Sequence, residues 1–407
     1  MIDLRHGDCR EVLATLPADS VHCVVTSPPY YGLRDYNVVG QIGLEPTPDA
    51  YLAEMVAVFR EVKRVLRPDG TCWVNMGDSY ASSGRRGHNG WDGNNKNPDG
   101  TPRVSRQAGD LWGGPTAVGG IKPKDMLMMP ARLALALQAD GWWLRSDIIW
   151  HKPNPMPESV TDRPTSSHEH VFLLAKSARY WYDADAVREE RNGDVDGVSF
   201  RGGCYVQGRT DNGTMGERQD IGNRRVDAVS GRNLRNVWTI ATQPYAQAHF
   251  ATYPAELASR CIRAGTSERG CCAACGAPWI RVTEKTHVGD WRTSSRSADL
   301  HDGAKGGPGG VMPGWEPART TGWAPSCACD ADTVPCTVLD PFAGAGTTLL
   351  VADRLQRDAI GIELNPDYTR MAMQRCRDDA PLFASPPPAS DDAYDRDMRD
   401  LFAEAAE

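Results

Sequence analysis

Val21-His22-Cys23-Val24-Val25-Thr26-Ser27-Pro28-Pro29-Tyr30, continued by Tyr31-Gly32, decides how the rest of the chain is read. The run from Val21 to Val25 is short, apolar and rich in β-branched residues, and prolines stop it, so it predicts a buried strand. Two successive prolines cannot extend a ladder, and they fix the backbone as it leaves the sheet. The loop then offers Ser27, two backbone carbonyls and an aromatic ring at the carboxyl end of a strand. Open α/β sheets bind their ligands at that edge. An ordinary strand-ending turn would show the same residues, and a second loop far downstream separates the two readings.

That second loop is Asp340-Pro341-Phe342-Ala343-Gly344-Ala345-Gly346-Thr347-Thr348. Thr337 to Leu339 predicts a strand running into it, Thr347 to Leu355 a helix, and Ala359 to Glu363 the next strand. Glycines let the chain turn sharply and let a ligand approach the backbone. Glu363 stands 23 positions after Asp340, at a strand tip, where a carboxylate suits ribose hydroxyls. Phosphate ligands fit poorly. A P-loop needs Gly-Lys-Ser/Thr, and no lysine follows Gly346; a dinucleotide fingerprint needs a third glycine, which Thr347-Thr348-Leu349 does not supply. Asp340 would repel a pyrophosphate but suits a cation. S-adenosylmethionine (AdoMet) carries an ammonium, a sulfonium and a ribose, and no phosphate. A purely structural glycine turn is the plainer reading of the same residues.

The intervening chain reads as α/β. Ala50 to Leu66 has helical periodicity stopped by Pro68-Asp69-Gly70, and Thr71 to Met76 predicts a strand, which makes the strand–helix–strand unit of a parallel sheet. Arg10 to Leu16, Met126 to Ala139, Ala255 to Ala264 and Asn365 to Cys376 read as helices. Trp143 to Trp150 and His170 to Ala175 read as strands, and Tyr180-Trp181-Tyr182 as a buried aromatic cluster. Ser79 to Gly120 and Glu189 to Asn236 are long polar loops, and loops of that length in a compact domain are functional or disordered.

Charge is unevenly placed. The formal net charge of −8 argues against a protein that coats nucleic acid without selectivity. Asp378 to Glu407 holds nine acids and two arginines and reads as an acidic tail. Gly197 to Trp238 holds seven arginines against four acids, and Ser82 to Lys124 seven basic residues against three acids, so two loop regions are locally basic. No apolar run approaches the roughly 18 residues of a membrane span. The start, Met1 to His6, lacks a signal-peptide pattern, so a cytoplasmic location without a membrane partner is expected.

Twelve cysteines are present. Cys9, Cys23, Cys72, Cys261, Cys336 and Cys376 lie in or beside apolar runs and read as small core residues. Cys272-Ala-Ala-Cys275-Gly276 is a CxxCG knuckle, and Cys327-Ala-Cys329 is a second pair. In a cytosolic protein two such pairs read as a tetrahedral four-thiolate zinc site. Cys271 could replace Cys272, although the spacing favours Cys272. A loop of free thiols is the plainer reading.

The two loops together resemble the DNA amino-methyltransferases. Asp340 to Thr348 is similar to their cofactor motif I, and Thr26 to Tyr30 to their catalytic motif IV. The catalytic motif comes first, which resembles the β-type order. Gly7-Asp8-Cys9 resembles motif III, Leu144 to Ser159 the region around motif VIII, and His249-Phe250-Ala251-Thr252-Tyr253-Pro254 motif X. The resemblance covers most of residues 1–265 and 333–378. It implies a Rossmann-like AdoMet-dependent methyltransferase sheet with permuted motif order, plus a loop-rich recognition region and a zinc-knuckle insertion. The expected division is a catalytic part over 1–188, target recognition over 189–236, an AdoMet-pocket segment over 237–265, the zinc insertion over 266–332, the AdoMet-binding part over 333–378 and the tail over 379–407.

The resemblance further implies methyl transfer from AdoMet to an exocyclic amino group of a base flipped out of double-stranded DNA. The expected catalytic residues are Ser27, Pro28, Pro29 and Tyr30. Ser27 and the Pro28 carbonyl would accept from the amino hydrogens, which frees the nitrogen lone pair and stabilises its developing charge; Tyr30 would stack on the base. The expected cofactor residues are Asp8, His249, Phe250, Thr252, Pro254, Asp340, Pro341, Phe342, Gly344, Gly346, Thr347, Thr348 and Glu363. The expected metal ligands are Cys272, Cys275, Cys327 and Cys329. In this family Ser-Pro-Pro-Tyr is associated mainly with cytosine N4 and Asp/Asn-Pro-Pro-Tyr with adenine N6, so cytosine N4 is favoured and adenine N6 is the alternative. A member of a modification system would have a cognate restriction endonuclease as partner. The reading of another class is a non-catalytic zinc-containing DNA-binding protein.

Overall fold

A computed structural model describes residues 1–33, 35–36, 38–81, 121–122, 124–189, 232–243, 252–284 and 319–379. The chain runs β1 (Ile2–His6), α1 (Cys9–Thr15), β2 (Val21–Thr26), α2 (Pro48–Val65), β3 (Leu66–Met76), α3 (Met129–Ala139), β4 (Trp143–His151), β5 (His168–Ala175) and β6 (Val237–Thr239). It continues through α4 (Ala255–Gly265), β7 (Cys271–Cys272), β8 (Ile280–Glu284), β9 (Arg319–Ala324), β10 (Thr333–Val334), β11 (Thr337–Asp340), α5 (Thr347–Arg354), β12 (Asp358–Glu363) and α6 (Pro366–Asp379).

Eight strands form one sheet in the order β1-β12-β11-β2-β3-β5-β4-β6. Within it only β5 runs against its neighbours; the pairs from β1 to β3 and the β4–β6 pair are parallel. Helices cover both faces, as a mostly parallel sheet requires. One core cluster packs α1, α2 and α3 on one face, and a second packs α4 and α5 on the other. All six residues of β2 are buried, so its uninterrupted apolar run follows from having both faces covered.

Helix α2 shows why the sequence folds this way. Thr47 caps it by accepting from the Ala50 N–H at 3.1 Å, and Pro48 stands in the first turn. Tyr51, Met55, Val58, Phe59, Val62 and Val65 form its buried face. Each such side chain contributes about 1.5–3 kcal/mol of burial.

Strand β3 is longer than expected. It begins at Leu66, so Pro68-Asp69-Gly70 lies inside it rather than in a separating turn. The β2–β3 register shifts between Val21 and Cys23, pairing Val21 with Leu66 but Cys23 with Thr71. The proline falls in that irregularity, where the ladder does not need its missing N–H. A Cβ on Gly70 would lie 2.6 Å from Leu66 Cδ1, so the bulge needs glycine. The Tyr180-Trp181-Tyr182 cluster is only half-buried, with the Tyr182 ring 6.4 Å from that of Trp73. Strands β1, β6, β7, β8, β9 and β10 were not anticipated; they are short or edge elements with weak periodicity. The loops at 82–120 and 190–231 and the acidic tail from residue 380 lie outside the described residues.

Candidate active site

The two loops read from the sequence leave the sheet side by side. Strands β2 and β11 are adjacent, with Val338 paired to Cys23 and Leu339 to Val24. Their ends are joined directly, because Thr26 Oγ1 donates to Asp340 Oδ1 at 2.7 Å.

Around the first loop, Ser27 Oγ lies 3.4 Å from Tyr30 Oη, and Tyr30 Oη donates to Glu169 Oε2 at 2.8 Å. Asn75, at the end of β3, donates from Nδ2 to Glu169 Oε2 at 2.8 Å and to Tyr30 Oη at 3.1 Å. Lys152 pairs with the other oxygen of Glu169. Tyr51 Oη donates to the Pro29 carbonyl at 2.8 Å, leaving the expected acceptor role to the Pro28 carbonyl. A Cβ on Gly77 would lie 2.8 Å from Tyr30 Cε2, so glycine lets the ring lie against the end of β3. Burial, and then the Glu169 charge, push the Tyr30 phenol well above its ordinary pKa, which keeps it protonated and donating.

The second loop is built on a buried carboxylate. Asp340 is 1% exposed. It accepts from Thr26 Oγ1 and the Phe342 N–H on one oxygen, and from Thr348 Oγ1 at 2.7 Å and Tyr253 Oη at 3.0 Å on the other. Those four bonds fill its acceptor capacity. The expectation that Asp340 suits a cationic ligand is therefore narrowed to its charge, because its hydrogen bonds go to the protein. Desolvation raises its carboxyl pKa despite these donors. Glu363 is committed in part, accepting from the Gly344 N–H on one oxygen and the Asn365 N–H on the other, both at 2.8 Å. Each oxygen keeps a second lone pair for a ligand hydroxyl. Gly346 has φ +73° and a would-be Cβ 2.9 Å from Ala372 Cβ, so the turn into α5 requires glycine. Thr347 Oγ1 accepts from Arg375 at 2.9 Å, and Pro341 is buried beside the loop.

Asp8 reaches the same edge, since the Gly7 N–H donates to the Glu363 carbonyl at 2.9 Å. Asp8 also caps α1 and pairs with Arg10, whose hydrogen bond holds its carboxyl below the usual range. Thr252 and Pro254 immediately precede α4, with Pro254 at its N-cap. His249 and Phe250 lie outside the described residues. Sequence reasoning did not single out Glu169, Asn75, Lys152 or Tyr253 as site residues. For Tyr253 and Lys152 the signal was present, inside the quoted motif X and motif VIII segments.

The cysteine pairs also meet. The sulfurs of Cys272, Cys275, Cys327 and Cys329 all lie within 4.8 Å of one another, and a tetrahedral zinc–thiolate centre needs sulfurs about 3.8 Å apart. Backbone N–H groups of Cys275 and Ala274 lower the Cys272 thiol to about 7, while the neighbouring thiols of Cys275 and Cys327 raise Cys329 to about 12. Held as thiolates, four sulfurs that close would need a cation between them. Cys271 instead groups with His22 and Cys336. In that group His22 Nε2 donates to the Gly276 carbonyl at 2.9 Å and Nδ1 accepts from the Thr337 N–H at 3.0 Å, so both ring nitrogens are already used.

A sequence model of the N6/N4 methyltransferase family, described as DNA methylase, matches residues 21–273 and 336–374. Type II methyltransferase M.Cfr9I of Citrobacter freundii is 38% identical over 372 residues, covering 91% of this chain and 86% of its own. Type II methyltransferase M.XycI of Xanthomonas campestris pv. cyanopsidis is 39% identical over 372 residues, with the same coverage. Among solved structures, the cytosine-N4-specific PvuII DNA methyltransferase aligns with a TM-score of 0.49 and 16% identity, over 95% of this chain and 88% of that one.

Proposed function

The chain belongs to the DNA methylase family, and from that premise we propose that it transfers the methyl group of AdoMet to cytosine N4 of a base flipped out of duplex DNA. The observation that carries this reading is the bond from Thr26 to Asp340, which sets the Ser27 loop beside the glycine loop at one sheet edge. The residues fit AdoMet as a donor: a buried anion, a glycine turn with close backbone approach, and a strand-tip carboxylate with lone pairs to spare. AdoMet supplies an electrophilic methyl group on a sulfonium. Ser27 Oγ and the Pro28 carbonyl accept from the amino hydrogens, so the nitrogen lone pair turns toward that methyl. Asp340 holds negative charge where the cation binds, and Glu363 takes ribose hydroxyls. The motif order, with β2 ahead of β11 in the chain, supports the permuted class.

Nucleoside mass spectrometry of methylated genomic DNA tests the target base. N4-methylcytosine is expected; N6-methyladenine would sink the cytosine assignment while leaving the enzyme class. The names of the relatives support a place in a Type II modification system, with target recognition assigned to 189–236 and a cognate endonuclease as partner. The Cys272, Cys275, Cys327 and Cys329 group is read as a structural zinc site. Elemental analysis should give one zinc per chain, and a value well under one would remove it.

A further inference from the structure

The catalytic loop is held at a point that none of its own residues supplies. Glu169 lies near the start of β5, the one strand of the described sheet that runs against the others. Its amino end therefore arrives where the parallel strands deliver their carboxyl ends. Three groups from three other segments meet on the Glu169 carboxylate: Tyr30 Oη, Asn75 Nδ2 and the Lys152 ammonium. The Glu169 and Lys152 side chains are only 15% and 18% exposed, and Lys152 Nζ also lies 4.5 Å from the centre of the Trp150 ring.

A carboxylate only accepts. Tyr30 must donate to it, so the phenol oxygen is left to receive. Ser27 Oγ directs its hydrogen to that oxygen across 3.4 Å. The same carboxylate turns the Asn75 amide so that Nδ2 faces the group and also donates to Ser27 Oγ at 3.5 Å, occupying one of its two lone pairs. Both hydroxyl hydrogens then run toward Glu169, and Ser27 Oγ keeps its remaining lone pair for a donor.

We propose that Glu169 is a positioning residue that sets the polarity of the Ser27–Tyr30–Glu169 hydrogen-bond chain, so that Ser27 accepts from an amino group and disfavours a ring carbonyl oxygen in the same place. Lys152 supplies the countercharge that holds the carboxylate there. The inference rests on the reading that Ser27 faces the target amino group, and it serves cytosine N4 and adenine N6 alike.

Glu169→Gln keeps the shape but adds an N–H₂ that can donate to Tyr30, which lets the chain reverse. Transfer from tritiated AdoMet into genomic DNA of an unmodified host gives kcat and KM. Glu169→Gln should lower kcat about 100-fold, with KM for DNA and AdoMet affinity changed less than about threefold. Because Glu169 acts through Tyr30, adding Glu169→Gln to Tyr30→Phe should cost less than about threefold more. A merely structural glutamate would instead lower the melting temperature and give losses that multiply. Lys152→Met is the second variant should Glu169→Gln not fold: kcat about tenfold lower, and less than about threefold further loss when it is added to Tyr30→Phe. An active wild type with Glu169→Gln within about threefold of it, or a double variant losing the product of the single losses, overturns the inference alone. A wild type that transfers no label overturns the reading of Ser27 and this inference with it.

Discussion

Asp340 and Glu169 organise neighbouring loops by opposite means. Asp340 is held by neutral donors, the hydroxyls of Thr26, Thr348 and Tyr253 and one backbone N–H, with no cation among them. Glu169 is matched by Lys152 and is hydrogen-bonded to its loop through the tip of Tyr30. An anion left without a protein countercharge suits a site that a cation enters. An anion already neutralised cannot add to that attraction, and what it contributes is geometry. On the proposed function, the Asp340 side of the edge serves binding and the Ser27 side aiming.

The comparison breaks most visibly at Asp340. Asp340→Ala removes the acceptor that Thr26, Thr348 and Tyr253 share, although the Thr348 hydroxyl also reaches the Val25 carbonyl at 3.1 Å; the cost is about 1–3 kcal/mol for each group that stays unpaired. A stability loss above roughly 3 kcal/mol in urea melts is expected, together with AdoMet binding too weak to detect by equilibrium dialysis. Retained affinity within about tenfold of wild type (~1.4 kcal/mol) would mean the loop is not organised around that charge.

Ser27→Ala should do the reverse, lowering kcat about 100- to 1000-fold while AdoMet affinity stays within about twofold. The two variants need the same pair of measurements, turnover and cofactor affinity. If Ser27→Ala lost affinity as badly as Asp340→Ala does, the division between binding and aiming would be wrong.

The same contrast explains what could be read in the sequence. Asp340, the glycines and Glu363 lie within one strand–turn–helix–strand unit, so their spacing carries the meaning. Ser27 to Tyr30 was legible because the two prolines mark the strand end. Glu169 was not, because it matters only through the antiparallel direction of β5, and no local periodicity reveals how a strand pairs. Asn75 was read as the strand residue it is, without its partner 94 positions away. The CxxCG and CxC pairs were legible as pairs, and the fold brings them together. The β8–β9 hairpin between them was hidden by its short, mixed strands.

Gly77→Ala tests the aiming side without removing any polar group, although its Cβ would also lie 3.3 Å from Glu169 Cγ. Its new Cβ would press on Tyr30 Cε2 from 2.8 Å, displacing the ring and with it the Ser27 hydroxyl. A loss in kcat of about 30-fold is expected, since a small misplacement of a reacting group is costly. AdoMet affinity measured by calorimetry should not follow. A parallel fall in affinity would show that the two loops move as one body.

Tyr253→Phe has the smallest effect and discriminates best, because it alters how the Asp340 charge is held rather than whether it exists. Burial raises the Asp340 carboxyl pKa, so the folded protein ionises it at higher pH than the unfolded chain does. Its ionisation therefore opposes folding. That penalty is absent below the unfolded value, grows as pH rises to the folded value and is constant above it. A bound cation favours the ionised form, so AdoMet affinity should climb with pH through that window and then level off. Phenylalanine removes one donor to the anion, which pushes the Asp340 carboxyl further up. At neutral pH affinity should fall only about fivefold, the worth of one hydrogen bond, but the levelling point should move to higher pH. Titration calorimetry across a pH series reads both quantities. Superimposable profiles for wild type and variant would mean that the Tyr253 hydroxyl takes no part in holding the charge, and that Asp340 relies on Thr26, Thr348 and the Phe342 N–H.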